Sequence, residues 1–143
     1  MSEPPRYGEG PASYNAAGQQ EGLRKLVDSF YDYMDTLPEA ADIRAMHPKD
    51  LTVSRDKLAL FLCGWTGGPK LFPQKYPTTP IPVFHSQFKI GVPERDAWLL
   101  CMRKALADQP YAEDFRQYMI EQLFVPAERS RVASEERRKG SLE

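Results

Sequence analysis

The spacing of apolar residues predicts that the chain is built from α-helices. Between residues 23 and 34, apolar side chains recur three and four positions apart, which places them on one face of a helix. These residues are Leu23, Leu26, Val27, Phe30, Tyr31 and Met34. Leu37-Pro38 ends this helix, and Pro38 is suited to open a short helical turn that runs to Arg44. No alternation typical of strands competes with this pattern, so we predict an all-α fold.

A second long helix is expected after residue 50. Asp50 or Thr52 is suited to cap it, and Gly67-Gly68-Pro69 is a strong signal for its end. The apolar face of this helix consists of Leu58, Phe61, Leu62 and Trp65. Such a face needs a partner helix, so we expect it to pack against the first one.

Two more helices are expected in the C-terminal half. Pro93 fits the first position of one, and Pro110 closes it. Its inward face consists of Trp98, Leu99, Cys101, Met102, Ala105 and Leu106. The last helix starts near Ala112, and Pro126 is expected to end or kink it. The apolar side of this last helix consists of Phe115, Tyr118, Met119 and Leu123.

The two ends and one internal segment lack helical periodicity. Residues 1–12 hold three prolines and two glycines, so we expect a flexible lead to a domain at residues 13–127. Residues 128–143 are mostly charged, and we expect a frayed or disordered tail. Five prolines between Pro69 and Pro82 disfavour long regular elements there, and this segment leads to His85.

Composition and charge indicate one soluble domain. The chain has 143 residues, 41% of them hydrophobic and 27% charged, with a net charge of −1. That charge supplies no basic surface for nucleic acid, and no apolar run reaches the length of a membrane span. The N-terminus lacks the pattern of a secretory signal, and two cysteines suit a reducing compartment. We therefore expect a cytoplasmic protein without nucleic-acid or membrane partners, in which Cys63 and Cys101 are buried apolar residues.

His85 is the candidate for chemistry, because it lies in the proline-rich segment between Phe84 and Phe88. The residues alone leave three interpretations open: a structural histidine bonded to the backbone, a general acid–base group, or a ligand of a metal or cofactor. Zinc needs three or four ligands, and the two histidines and two cysteines show no close pairing. Haem needs one protein ligand and an apolar slot, so the composition fits haem best.

An ordered set of motifs gives the chain a specific resemblance. Over residues 14–123 it resembles the group II truncated haemoglobins, short globins with a two-over-two helical arrangement. The matching motifs are Phe30-Tyr31, Met46-His47-Pro48, Asp50-Leu51-Thr52, Phe61-Leu62, Gly67-Gly68-Pro69, His85 with Phe88 and Ile90, and the segment from Glu94 to Met102. Their order and their spacing both match the family.

The resemblance implies a role for each candidate residue. His85 becomes the proximal ligand of haem iron, with Phe84 and Phe88 beside it. The distal side is implied to consist of Tyr31, His47, Ser54, Leu58 and Trp98. Tyr31, His47 and Trp98 carry hydrogen-bond donors, and each such bond to a bound oxygen contributes about 1–3 kcal/mol. Lys57 is implied as the partner of a haem propionate.

Each distal assignment has a structural alternative. Tyr31 and Trp98 also fit as core aromatic residues with satisfied polar groups, and His47 also fits as a plain helix-end residue. Ser54, where many globins have a distal histidine, also fits as a residue of a helix N-terminus. Lys57 also fits as a solvated surface lysine.

The chain departs from the family around His85. Family members often have arginine before this histidine and a Leu-Pro-Phe-Pro segment after it, whereas this chain has Phe84, and then Ser86-Gln87-Phe88-Lys89. One propionate partner is therefore missing, and Ser86 or Gln87 is placed to alter the basicity of the imidazole.

The resemblance predicts a haem b protein that binds oxygen and other small ligands at a hydrogen-bonded distal site. Three donors predict slow oxygen release, which favours oxygen, nitric oxide or peroxide redox chemistry over bulk transport. Nitric-oxide dioxygenation or peroxidase activity would be the enzymatic form, with a reductase as partner. The alternative is a haem-based sensor or interaction protein that signals through its C-terminal tail. We expect a monomer or a homodimer.

Overall fold

The computed structural model describes residues 6–77 and 91–142, and within these residues it is helical with short connections. Seven α-helices follow one another in these two ranges: α1 (Ala12–Ala16), α2 (Gln19–Thr36), α3 (Ala41–Ala45), α4 (Thr52–Trp65), α5 (Leu71–Lys75), α6 (Val92–Asp108) and α7 (Glu113–Leu142). A single 3-10 turn, Pro38–Ala40, links α2 to α3. None of the described helices is long and apolar enough to cross a membrane.

The four long helices, α2, α4, α6 and α7, pack against one another. Helix α2 packs against both α4 and α6, and α6 packs in turn against α7. The predicted apolar face of α2 is buried along its whole length. Opposite it lie Leu58 and Leu62 of α4 and Met102 of α6, all buried. The arrangement is the expected two-over-two helical sandwich, with α2 at its centre.

The predicted helix boundaries hold closely for α2, α4 and α6. The Asp50 carboxylate accepts hydrogen bonds from the backbone N–H of Thr52 at 2.9 Å and from its hydroxyl at 2.7 Å, which satisfies the start of α4. At the start of α6 the Glu94 carboxylate accepts a bond from the Gly91 N–H at 2.7 Å. These side-chain bonds fix where two of the long helices begin.

Part of the predicted flexible lead is packed in the structure. Tyr7 contacts Phe115 at a ring distance of 5.1 Å, and its hydroxyl donates to the Asp114 carboxylate at 3.0 Å. The Gly8 N–H donates to the Ser13 hydroxyl at 2.8 Å. Residues 6–12 therefore contact the helical body through Tyr7, whose side chain binds α7, whereas residues 1–5 of the predicted lead lie outside the described part.

The predicted C-terminal tail is helical. Helix α7 continues through Pro126 to Leu142, so the proline does not end it, and residues 128–142 of the predicted tail are helical in the structure. The Glu128 carboxylate bridges Arg95 of α6 and Arg131 of α7, and Arg131 also pairs with Glu135 at 2.9 Å. The sequence has no apolar periodicity in this part of α7, and ion pairs to α6 and within α7 stabilise it instead.

The proline-rich segment begins with a short helix that the pattern did not predict. Helix α5 holds Pro73 at its third residue, where the missing N–H is one of those a helix leaves unpaired anyway. The Asp56 carboxylate of α4 fixes the end of this helix through Lys75 Nζ at 2.8 Å and the Tyr76 hydroxyl at 2.6 Å. Arg24 of α2 binds the same carboxylate at 3.1 Å.

Candidate functional site

Tyr31 lies at the centre of the packed helices with its side chain only 4% exposed. Its ring contacts Phe30 on the same helix at 5.0 Å and His47 at 5.8 Å, both edge to face. Burial raises its pKa well above the usual value of 10.0, although the Arg55 guanidinium, 5.8 Å from the ring centroid, opposes this. The phenol therefore keeps its proton at any physiological pH. Within the described residues its O–H makes no hydrogen bond.

Trp98 is brought to the same cluster by α6. Its ring lies 5.0 Å from that of Phe30, which in turn touches Tyr31. Trp98 remains partly exposed, unlike its buried neighbours Ala97 and Leu99. Tyr31 and Trp98 thus both contact the ring of Phe30, and their shared distal role stays a prediction.

His47 closes the other side of the cluster. Its Nδ1 lies 2.8 Å from the carbonyl oxygen of Ile43, so in the neutral ring the proton is on Nδ1 and is donated to the backbone. Burial holds the pKa of His47 below its usual 6.5, with the Ile43 carbonyl raising it and Arg44 lowering it. Nε2 of the neutral ring is then an acceptor, and the contact of His47 with a ligand that the resemblance implied stays a prediction.

Helix α4 supplies the remaining distal residues. Leu58 is buried, as expected of an apolar wall, and Ser54 is half-buried in the first turn of the helix. This position agrees with the structural alternative for Ser54, a residue of a helix N-terminus, and its distal role stays a prediction. The same face of α4 continues through Phe61 and Trp65 at helical spacing.

A cleft of about 330 Å³ opens where this face of α4 meets α5. Its lining is mostly apolar and aromatic: Leu60, Phe61, Gly64, Trp65, Lys70, Phe72, Pro73, Tyr76 and Pro77. Phe61 and Phe72 meet edge to face across it at 6.3 Å. An apolar slot bounded by aromatic rings is the environment that a planar, hydrophobic cofactor requires.

Lys57 lies beside the cleft, with its Nζ 5.4 Å from the centroid of the Tyr76 ring. Its side chain is half-buried, so its stem packs along the protein while its ammonium remains close to solvent. His85, Phe84 and Phe88 lie outside the described residues, and their roles stay predictions.

The sequence did not reveal Arg55 and Asp56 as parts of this region. Arg55 is held over Tyr31 by Asp28 at 3.2 Å and Asp32 at 2.8 Å. Both aspartates lie on α2, one helical turn apart, so the pairing depends on how α2 and α4 cross. A single sequence carries no signal for such a contact. Cys63 and Cys101 are buried free thiols, as predicted, and burial raises the pKa of Cys101 to about 11.

Comparison with known proteins identifies the family of the chain and agrees with its fold. The model of the bacterial-like globin family matches residues 12–127. The group 2 truncated hemoglobin YjbI of Bacillus subtilis is 31% identical over 116 residues, which are 81% of this chain and 85% of that protein.

Solved structures of truncated haemoglobins have the same fold as this chain. The group II 2-on-2 hemoglobin of Agrobacterium tumefaciens has a TM-score of 0.76 at 34% identity, covering 91% of this chain and 97% of that one. The cold-adapted truncated hemoglobin of Pseudoalteromonas haloplanktis also has a TM-score of 0.76, at 30% identity over 82% of this chain and 95% of that one. With Tyr31, His47 and Trp98 gathered on a two-over-two helical frame, the chain belongs to the bacterial-like globins and, within them, to the group II truncated haemoglobins.

Proposed function

We propose that the protein holds haem b and uses its distal pocket for redox chemistry of oxygen, nitric oxide or peroxide rather than for bulk oxygen transport. Membership of the globin family establishes the coarser function, haem-based binding of small ligands. The observation that carries the finer proposal is the buried Tyr31 phenol, which keeps its proton and makes no hydrogen bond within the described residues.

The described residues fit the distal half of a haem site. Leu58 and Phe61 supply apolar surface on one face of α4, and Tyr31 supplies a polar group to it from α2. We assign Lys57 to a propionate, because the family resemblance points to this position and its Nζ lies 5.4 Å from the centroid of the Tyr76 ring, which lines the apolar cleft. We assign His85 as the axial ligand from the sequence. Haem, when bound, supplies an iron that takes small ligands and changes its oxidation state.

The protein groups determine how firmly a ligand is held. The Tyr31 O–H is a donor buried among Phe30 and His47, where a hydrogen bond to a partly negative ligand is strengthened by the low local polarity. Trp98 brings an indole N–H, which can only donate. Each bond contributes about 1–3 kcal/mol, which corresponds to roughly tenfold or more in retention. Slow release is unsuited to transport and suits a site that reacts with what it holds.

The enzymatic form of this proposal is nitric-oxide dioxygenation or peroxidase activity. In both, Tyr31 and Trp98 hold the oxygen-derived ligand in place while a second molecule or an electron arrives. Repeated turnover requires an electron donor, so a reductase is the expected partner.

The test is oxygen release from the Tyr31→Phe protein. Removing the phenol oxygen while keeping the ring is expected to speed oxygen dissociation about tenfold or more, as measured by stopped-flow mixing with carbon monoxide. Trp98→Phe is expected to show a smaller increase, because Phe30 lies between the two rings. The oxygenated wild-type protein mixed with nitric oxide should decay with one nitrate formed per haem.

Phe61→Leu is a matched control, since it changes an aromatic pocket residue without removing a donor. Equal oxygen dissociation rates in wild type and Tyr31→Phe would refute the role of the phenol. Absence of nitrate formation and of peroxide consumption would refute the redox function while leaving ligand binding intact.

A further inference from the structure

Three aromatic rings follow one another along the wall of the cleft between α4 and α5. Phe61 belongs to α4, whereas Phe72 lies on α5 and Tyr76 follows directly after it. Phe61 meets Phe72 at 6.3 Å, and Phe72 meets Tyr76 at 5.6 Å. A helix of five residues is too short to be stable by itself. Contacts with other elements must therefore hold the rings of Phe72 and Tyr76 in place.

The Asp56 carboxylate of α4 supplies such contacts at the C-terminal end of α5. One of its oxygens accepts a hydrogen bond from the Tyr76 hydroxyl at 2.6 Å and lies 2.8 Å from Lys75 Nζ. Arg24 of α2 binds the other oxygen at 3.1 Å. The Asp56 side chain is only 14% exposed, so these charge-assisted bonds are screened less than bonds on the open surface. Asp56 thus joins the last ring of the wall to two long helices.

Two cations hold the Tyr76 ring in addition to the bond of its hydroxyl. Lys57 Nζ lies 5.4 Å and Lys75 Nζ lies 5.7 Å from the ring centroid, which is within the range of a cation–π attraction. Lys75 reaches this position while it is paired with Asp56. The carboxylate therefore acts on Tyr76 twice, directly through the hydroxyl and indirectly through the Lys75 ammonium.

We propose that Tyr76 is a wall residue of the haem slot and that Asp56 is its positioning residue, which slows the loss of haem by holding the end of α5 against α4. The proposal rests on the haem-binding role of the cleft and deepens it. Haem in an apolar slot leaves when a wall moves aside, and movement of Tyr76 requires the bonds of Asp56 to break. Asp56 does not itself line the cleft, so it acts through Tyr76.

The kinetic test follows the transfer of haem from the ferric protein to an excess of apomyoglobin, which takes up haem as it is released. Asp56→Asn keeps the shape of the side chain and removes its charge, so haem loss is expected to be about tenfold faster than in wild type. Tyr76→Phe keeps the ring and removes the hydroxyl, and an increase of about threefold is expected. Equal rates in wild type and Asp56→Asn would refute the proposal.

The double variant separates positioning from independent effects of the two residues. If Asp56 acts through Tyr76, Asp56→Asn should speed haem loss by a smaller factor in the Tyr76→Phe background than in wild type. Independent effects would multiply instead. A double variant whose increase is the product of the two single increases would disprove the link between the two residues.

Tyr33 and Asp108 provide a matched control. The Tyr33 hydroxyl of α2 donates to the Asp108 carboxylate of α6, and neither residue lines the cleft. Asp108→Asn changes a tyrosine–aspartate bond of the same kind, so it reports what such a change does to the fold alone. Its haem loss is expected to stay within about twofold of wild type. Equally fast haem loss in both aspartate variants would indicate a general loss of stability and overturn the proposal.

A readout independent of haem transfer is the opening of α5 in the haem-loaded protein. The end of this helix is closed by the Tyr76 N–H, which donates to the Phe72 carbonyl at 2.8 Å. In Asp56→Asn, backbone hydrogen exchange in a peptide of residues 71–77 is expected to be about tenfold faster, with exchange in α6 unchanged. Mass spectrometry of the exchanged peptides measures both. Unchanged exchange in α5 would show that Asp56 does not hold this helix.

The two readouts together separate the possible failures. Faster exchange in α5 without faster haem loss would show that Tyr76 lies outside the haem slot, which also overturns the proposal. If instead the protein keeps its haem but neither forms nitrate nor consumes peroxide, the redox function fails and the role of Asp56 stands.

Discussion

At the scale of single residues, Tyr31 and His47 have different hydrogen-bonding properties, although the sequence offers no reason to distinguish them. Both Tyr31 and His47 carry a polar atom, and both were expected to donate. Burial keeps the proton on Tyr31, whereas the Nδ1–H of neutral His47 donates to a backbone carbonyl. The two neighbouring rings therefore differ in the group they leave free, an O–H on Tyr31 and a lone pair on Nε2 of His47, which an inventory of residue types does not predict.

The proximal role of His85 leads to a direct prediction. His85→Ala should lose haem or leave it without a protein nitrogen ligand, because only one other imidazole is present in the chain. The absorbance spectrum of the haem-reconstituted variant is expected to differ from wild type in its Soret band and in the ferrous visible bands.

His47→Ala is the matched control for this experiment, since it removes the other imidazole. It should keep the ferrous spectrum of a histidine-ligated haem. If the His85→Ala protein has the wild-type spectrum and His47→Ala does not, the two histidines exchange their assigned roles.

The spacing of the family motifs was enough to name the candidate site residues from the sequence. The helical periodicity of apolar residues was enough to predict which side chains are buried. Tyr31 and Leu58 fall on apolar helical faces, and both are buried. The direction of the His47 ring was not predictable, because it depends on where the Ile43 carbonyl lies at the C-terminal end of α3, and this oxygen accepts the Met46 N–H as well at 3.2 Å. Arg55 was missed for a related reason: its partners Asp28 and Asp32 belong to another helix.

At the scale of elements, the Gly67-Gly68 pair does more than end α4. Gly67 has φ +97, and a Cβ there would lie 2.0 Å from the Gly10 carbonyl oxygen. A Cβ on Gly68 would lie 2.4 Å from the ring of Tyr14. The N-terminal segment therefore packs directly on the end of α4, where the Tyr14 N–H donates to the Thr66 carbonyl at 3.0 Å.

This contact predicts different costs for two similar substitutions. Gly67→Ala combines an unfavourable φ with overlap against backbone atoms, so it is expected to lower the free energy of unfolding by about 3 kcal/mol or more. Gly10→Ala has φ +48 with open space around the new Cβ, and its expected cost is about 1 kcal/mol. Urea unfolding followed by far-UV circular dichroism measures both values. If both substitutions lowered the free energy of unfolding equally, the N-terminal segment would be able to move away from the new Cβ of residue 67 without loss of stability.

Asp56 connects three elements through one side chain. It binds Arg24 of α2 and both Lys75 and Tyr76 at the end of α5. These bonds hold the pKa of Asp56 below its usual value even though partial burial raises it. The Asp56 carboxylate thus connects the C-terminal end of α5 to α4, the helix that carries Ser54 and Leu58.

At the scale of the whole molecule, α7 extends the globin body beyond the part that matches the family. The match covers residues 12–127, whereas α7 continues to Leu142. Arg95 joins this extension to α6 through Glu128, and Ser134 is buried. The Phe124 ring lies 5.2 Å from the same guanidinium. These contacts favour a stabilising role for the extension over that of a free signalling tail.

Truncation tests that role. A chain that ends after Ala127 loses the Glu128 bridge, and its thermal midpoint is expected to fall by roughly 3–8 °C. Its oxygen dissociation rate should stay within about twofold of wild type, because the distal residues lie on other helices. Thermal unfolding followed at 222 nm and stopped-flow spectroscopy measure the two quantities.

A chain that ends after Glu136 is the matched control, since it retains Glu128, Arg131 and Glu135. Its midpoint should stay near that of the full chain. If the shorter truncation has the same midpoint as the control and instead loses binding to a partner protein, the sensor alternative would replace the structural role.

The sequence by itself determined the all-α fold, the bounds of α2, α4 and α6 and the family, because periodic apolar faces, caps and motif spacing are local properties of the chain. It could not give the ordered N-terminal segment or the helical C-terminal extension, since both depend on contacts between residues far apart, such as Tyr7 with Phe115 and Arg95 with Glu128. Only the tertiary structure decided which nitrogen of His47 carries the proton. That choice depends on the position of the Ile43 carbonyl and the packing of α3 against α2, and it leaves Nε2 of the neutral ring without a hydrogen.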